Sequence, residues 1–196
     1  MLKSSSLLLS SLLALSLAIG GCSKQEPAAA AAPSGPKRSV SVEIVAAEAK
    51  GFTVGALMAA NPVYVFFDPQ CPHCARLWEA SVPLQKKARF VWIPVGLLNA
   101  SSAPQGAALL SAADPATSMT EHEKSMLAQQ GGISAASGIK PEAEQAVKMN
   151  TALFNNLQLE GVPYLVARNA RTGMTVTRGG EMNTAALAEL VGVDPP

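Results

Sequence analysis

The sequence predicts a mixed α/β domain, and two short apolar runs with a helical pattern between them are the main reason. Residues 63–67 (Val-Tyr-Val-Phe-Phe) and 89–95 (Arg-Phe-Val-Trp-Ile-Pro-Val) are almost wholly apolar, as strands buried on both faces are. Between them Ala75, Leu77, Trp78, Ala80, Val82, Leu84 and Ala88 support a helix. The unit is therefore β-helix-β, parallel and right-handed. A helical block at about residues 100–157 follows, and then a hairpin and a last helix.

The N-terminus reads as an export signal over residues 1–21. Lys3 supplies the positive end, residues 7–19 are apolar or small, and Gly20 and Gly21 suit a peptidase. The stretch is too short to span a bilayer. Residues 22–39 shift to Ala, Pro, Ser and Gly, a composition that cannot offset its own ordering entropy, and form a tether. Residues 40–196 then make the folded domain.

Within that domain Val40, Val42 and Ile44 alternate and predict a strand over 39–45, while 46–58 fits either helix or loop. Asp68, Pro69 and Gln70 end the strand of 63–67. The helix that starts at Cys71 contains Pro83, which removes a backbone donor and predicts a kink. After the strand of 89–95, residues 105–112 are helical. Asp114 and Pro115 are N-cap and first residue of a helix to about 129, broken by Gly131 and Gly132. Pro141 opens another helix, whose stripe Ala143, Val147, Thr151, Phe154 and Leu157 suits core packing, as do Met119, Met126 and Met149. Residues 164–168 and 174–177 form a hairpin, and Asn183 caps a helix over 184–191 closed by Gly192.

The chain has 3 cysteines, and Cys71-Pro72-His73-Cys74 sits where a strand hands over to a helix. A thiolate is the reactive form, and a free cysteine of pKa ~8.5 supplies little of it at neutral pH. At a helix start Cys71 faces unsatisfied N–H groups and the positive dipole end, both of which favour the anion. His73 adds positive charge or a hydrogen bond, and Pro72 removes a competing N–H and stiffens the turn. Cys71 is assigned as the exposed nucleophile and Cys74, deeper in the helix, as the resolving thiol. Exported chains live where disulfides persist, so a lone adjacent pair reads as a working dithiol. Metal lacks ligands, because there is no second CxxC and His122 is the one histidine besides His73. No cofactor is called for. A net charge of +1, with Lys86 and Lys87 the only basic pair in the domain, argues against nucleic acid as a partner.

The segment from Val65 to Cys74, with Pro83, Pro94-Val95-Gly96 and Gly161-Val162-Pro163, resembles the thioredoxin-like fold with an inserted helical subdomain. More narrowly, residues 50–192 resemble the periplasmic thiol:disulfide interchange proteins of the DsbG and DsbC branch. Ile19-Gly20-Gly21-Cys22 resembles a lipobox, whose cysteine is acylated and becomes the first mature residue. The resemblance implies a periplasmic thiol:disulfide oxidoreductase, lipid-anchored to the envelope membrane at Cys22. It would exchange its Cys71–Cys74 disulfide with cysteines of exported proteins and be served by a membrane redox partner. Pro163 is implied as a cis-proline beside the sulfurs, leaving the Val162 backbone to pair with an extended client.

Pro72-His73, and a Val before the proline, resemble the DsbA oxidase, so oxidation is favoured over reduction or isomerisation. A site like that one would make Cys71 strongly acidic, toward the ~3.5 of DsbA. The DsbG and DsbC branch carries an N-terminal dimerisation domain, whereas at most a strand and a helix precede Val63 here, so a monomer is expected. Thioredoxin and DsbA keep a buried acid six positions before the first cysteine. That place is Val65, and the nearer Asp68 is expected on the surface, capping the turn. A tethered chaperone or assembly factor of an envelope complex, with secondary thiol chemistry, is the alternative from another class.

Overall fold

Side chains that alternate between two faces build the centre of the molecule. The computed structural model describes residues 39–135 and 138–196, all within one compact unit. The expected signal segment 1–21, Cys22 and the expected tether as far as residue 38 lie outside the described residues. Strands β1 (Phe52–Gly55), β2 (Pro62–Phe67), β3 (Arg89–Pro94), β4 (Tyr164–Arg168) and β5 (Thr175–Gly179) form one sheet in the order β1-β3-β2-β4-β5. β2 and β3 are parallel, with Val65 opposite Trp92, and the other pairs are antiparallel. Val63, Val65, Phe67, Phe90 and Trp92 enter one core, and Phe66, Ile93 and Val95 enter the other.

Helices α1 (Val42–Glu48), α2 (Pro72–Ser81), α3 (Ser102–Ser111), α4 (Pro115–Leu127), α5 (Pro141–Asn156) and α6 (Thr184–Val191) cover both faces. α2 and α6 pack on the first core, and α1 and α5 on the second. α3, α4 and α5 form the helical block between β3 and β4, with α4 lying against α2 and α3 against α5. Among the described residues no helix is long and apolar enough to cross a membrane.

Residues 39–45 are not a strand. Ser41 caps α1, its hydroxyl accepting from the Ile44 N–H at 3.3 Å, and Val42 and Val45 are buried at helical spacing. Three alternating residues were a weaker signal than the cap that Ser41 provides. The strand of this region is β1, which pairs with β3 along the sheet edge. Gly51 permits that approach, since a Cβ there would lie 2.4 Å from the Trp92 carbonyl oxygen. Pro83 does not kink a long helix either: α2 ends at Ser81 and Pro83 sits in a 3₁₀ turn, Val82–Leu84. Met149 faces outward at 46 % exposure, whereas Met119 is in the core. The remaining boundaries follow their caps. Asp114 accepts from the Thr117 N–H at 3.1 Å, Asn183 from the Ala186 N–H at 2.9 Å, and Gly192 is left-handed at φ 78°.

Candidate active site

The end of β2 and the start of α2 set the positions of both thiols. Cys71 is the N-cap of α2 with Pro72 as first residue, and its own N–H donates to the Asp68 carbonyl at 3.0 Å. The Cys74 N–H donates to the Cys71 carbonyl, also at 3.0 Å. Both cysteines are present as free thiols. Cys71 is not exposed as the sequence suggested: only 3 % of it is accessible, against 0 % for Cys74. The reason is the loop that crosses it. The Val162–Pro163 bond is cis, and the Cys71 thiol donates to the Val162 carbonyl oxygen at 3.6 Å.

The two thiols are held in opposite states. Cys71 is acidified to about 6, chiefly because the Cys74 thiol donates to its sulfur. Burial opposes that effect, while the N–H groups of Cys74 and His73 and the charge of His73 add to it. This is acidic for a thiol, though short of the DsbA range. Cys74 is pushed well above the usual thiol range, first by burial and then by Cys71. Near neutral pH the Cys71 sulfur is thus mostly ionised, giving up its bond to the Val162 carbonyl, while Cys74 keeps its proton.

His73, in the first turn of α2, is exposed, with its Nδ1 3.0 Å from Glu181 Oε2 and 2.9 Å from Arg76 Nη2. When Nδ1 carries a proton it donates to Glu181, and when it does not it accepts from Arg76. Arg76 Nε also donates to Glu181, and this guanidinium holds the Glu181 carboxyl below its usual range. Arg76 and Glu181 escaped notice in the sequence because Glu181 arrives from the loop before α6.

Asp68 corrects a second expectation. It is fully buried, with Oδ1 accepting from the Gln70 N–H at 2.8 Å and Oδ2 from the N–H groups of Leu97 at 2.7 Å and Leu98 at 3.0 Å. The loop after β3 closes over it, and nothing local to Asp68 announces that loop. Its carboxylate therefore ties together the chain ends that follow β2 and β3.

The helical block grips the same segment from the other side. His122 Nε2 donates to the Pro69 carbonyl at 2.7 Å, and its Nδ1 accepts from the Ile133 N–H at 3.1 Å, which fixes a neutral tautomer. Burial lowers the His122 pKa, in keeping with that state. Gln70 Nε2 donates to Gln105 Oε1 at 2.5 Å and to the Gly131 carbonyl at 3.0 Å. Gln105 Nε2 in turn donates to the carbonyls of Gly131 at 2.8 Å and Ile133 at 2.9 Å. Glu123, next to His122, is buried near both thiols. Trp78 packs edge-on against Trp92 at 5.1 Å and belongs to the core. Among the described residues no group of three or more His, Cys, Asp and Glu side chains converges as a metal site would need.

An acidified sulfur at a helix start, backed by a protonated one and crossed by a cis-proline loop, has the chemistry of a nucleophilic thiol. Known proteins have similar chains. The thiol:disulfide interchange protein DsbG of Pseudomonas aeruginosa is 30 % identical over 146 residues, 70 % of this chain and 54 % of that protein. The chain thus spans about half the length of this curated relative. In fold it is similar to the catalytic domain of Proteus mirabilis ScsC, with a TM-score of 0.58 at 18 % identity over 76 % of this chain and 95 % of that one. A disulfide interchange protein from Neisseria gonorrhoeae gives a TM-score of 0.56 at 22 % identity over 74 % and 97 % of the two chains. A family model described as thioredoxin matches residues 47–175, from the end of α1 through β4. That match runs through the sheet, the dithiol and the cis-proline loop, and the chain belongs to the thioredoxin family.

Proposed function

We propose that this protein is a thiol:disulfide oxidoreductase of the bacterial envelope that passes its Cys71–Cys74 disulfide to cysteine pairs of exported proteins. The observation that carries the proposal is the division of labour between the thiols, one acidified to about 6 and the other kept protonated. Cys71 is the sulfur through which the mixed disulfide forms, and Cys74 resolves it. Pro72 and His73 shape the electrostatics of Cys71. Val162, whose carbonyl meets Cys71, presents the backbone along which a client strand would pair.

Oxidation is the preferred direction, because an acidified Cys71 stabilises the reduced pair and so makes the disulfide a better oxidant. Export and lipid attachment at Cys22 belong to the same proposal and rest on the sequence of residues 1–22. The decisive experiment mixes oxidised protein with a reduced, unfolded protein bearing two cysteines. Wild type should transfer its disulfide, Cys71→Ser should not, and Cys74→Ser should accumulate a mixed disulfide through Cys71. Undiminished transfer by Cys71→Ser would sink the proposal.

A further inference from the structure

Glu123 is a buried carboxyl group for which the exchange chemistry so far has no use. It lies one turn beyond Met119 on α4 and is 1 % exposed, and neither carboxyl oxygen has a hydrogen-bond partner among the described residues. A carboxylate in that setting is strongly disfavoured, so the acid is held neutral until something nearby can use its proton.

What faces it is the dithiol. α4 packs against α2, α3 and β1, and the last two carry no titratable side chain. On α2 the charged residues His73, Arg76 and Glu79 are exposed, which leaves Cys71 and Cys74 as its buried titratable groups. On α4 itself Glu121 and Lys124 are exposed, and both ring nitrogens of His122 are engaged. Asp68, at the end of β2, is taken up by three backbone N–H groups. Met119 shares one core cluster with Cys71 and Cys74, which sets this part of α4 against the sulfurs. Glu123 responds accordingly: burial and then the Cys71 charge push its carboxyl up, and its own charge helps push Cys74 up.

We propose that Glu123 is the proton-exchange partner of the dithiol, giving a proton to Cys74 when that sulfur leaves and taking it back when it attacks. The inference rests on the thiol-exchange reading above. A client thiolate attacks Cys71 Sγ, the Cys71–Cys74 bond breaks with its electron pair on Cys74, and a client–Cys71 disulfide forms. Cys74 is cut off from water, so the neutral carboxyl of Glu123 protonates it and becomes a carboxylate. A second client thiolate then displaces Cys71 as a thiolate, which oxidises the client by two electrons and leaves the pair reduced. In the opposite direction the mixed disulfide removes the Cys71 charge, Glu123 gives its proton to solvent, and the resulting carboxylate takes the Cys74 proton as Cys74 attacks Cys71 and expels the client. Solvent restores the carboxyl between turnovers.

The test isolates the Cys74 step. A mixed disulfide between Cys71 and glutathione is prepared, and its resolution by Cys74 is timed across a pH series. Glu123→Gln, which keeps the shape and removes the titration, should slow resolution roughly 10-fold or more at neutral pH and leave a profile governed by thiol ionisation alone. In a Cys74→Ser background, attack of Cys71 on oxidised glutathione should be slowed by Glu123→Gln less than about twofold, since no proton exchange with Cys74 remains. Wild-type rate and profile in Glu123→Gln overturn the inference, and so does an equal loss in the Cys74→Ser background, which marks a structural role. Should the glutamine variant not fold, Glu123→Asp carries the test: a shifted pH profile supports the inference and an unshifted one overturns it. Absence of any exchange by wild type overturns the underlying function instead, so the two failures are distinct.

Discussion

At Cys71 burial and the helix start act against each other, and the result can be measured as stability. Its folded pKa of about 6 lies below the ordinary thiol value. The ionised sulfur therefore favours the folded, reduced protein, fully above the ordinary thiol pKa and less and less as pH falls through about 6. Cys74 acts the other way: its raised pKa keeps it protonated in the fold, so stability is lost once the unfolded thiol ionises. Glu123 also opposes folding, from the ordinary carboxyl range upward, but it is present in both redox forms. The stability of reduced minus oxidised protein should thus rise between pH 6 and 8, by on the order of 1 kcal/mol after solvent screening, and fall again above about pH 8.5, where the unfolded Cys74 thiol ionises. Urea melts of both forms across that window give the difference, and a flat line would remove the acidified Cys71. The acidity of this residue was legible in the sequence because its causes lie within one turn of helix. The burial of Asp68 was not, since its partners come from Leu97 and Leu98. Nor was Glu123, whose setting depends on how α4 lies on α2.

Among the elements, the helical block does more than decorate the sheet, for it holds the segment that presents Cys71. The hinge of that grip is Gly132, with φ of 86° and a Cβ position 2.4 Å from His122 Cε1 and 2.6 Å from its Nδ1. Gly132→Ala must push His122 away and loosen its bond to the Pro69 carbonyl, two residues before Cys71. Gly131→Ala is the matched control: it bears the same left-handed strain, φ 82°, but meets nothing within 4 Å. Denaturant titration should show a cost of about 1 kcal/mol for Gly131→Ala and about 2–3 kcal/mol for Gly132→Ala. Thiol alkylation by Cys71 should slow only in the latter. Equal costs, with alkylation unchanged in both, would show that the block does not tune the site. The Gly131-Gly132 break was visible in the sequence, while its contact with His122 was not. β2 and β3 were legible because burial on both faces leaves continuous apolar runs. β1 and α1 were not, because a four-residue edge strand and a seven-residue helix contain too few positions for periodicity to separate them.

For the molecule as a whole, the same thiolate sets the reduction potential of the Cys71–Cys74 pair. Stabilising the reduced pair by one pKa unit is worth about 1.4 kcal/mol, or about 30 mV for a two-electron couple. Thioredoxin pairs a cysteine pKa near ~7 with about −270 mV, and DsbA pairs ~3.5 with about −120 mV. Moving from either end to the value of about 6 for Cys71 brackets this protein at roughly −240 to −195 mV. It should therefore oxidise thioredoxin-like dithiols and be oxidised by DsbA-like disulfides, which equilibration against glutathione at fixed ratios will read directly. A value at or below that of thioredoxin would contradict the acidified nucleophile. Inside the bracket the pair lies below DsbA-like oxidants, and in the proposed envelope setting such oxidants would leave it oxidised. Trapping the thiols in cells then separates the two directions. A mainly disulfide Cys71–Cys74 pair fits the oxidase proposed above. A mainly reduced pair at the same potential means that a membrane donor spends electrons to hold it there, and the protein then works as a reductase.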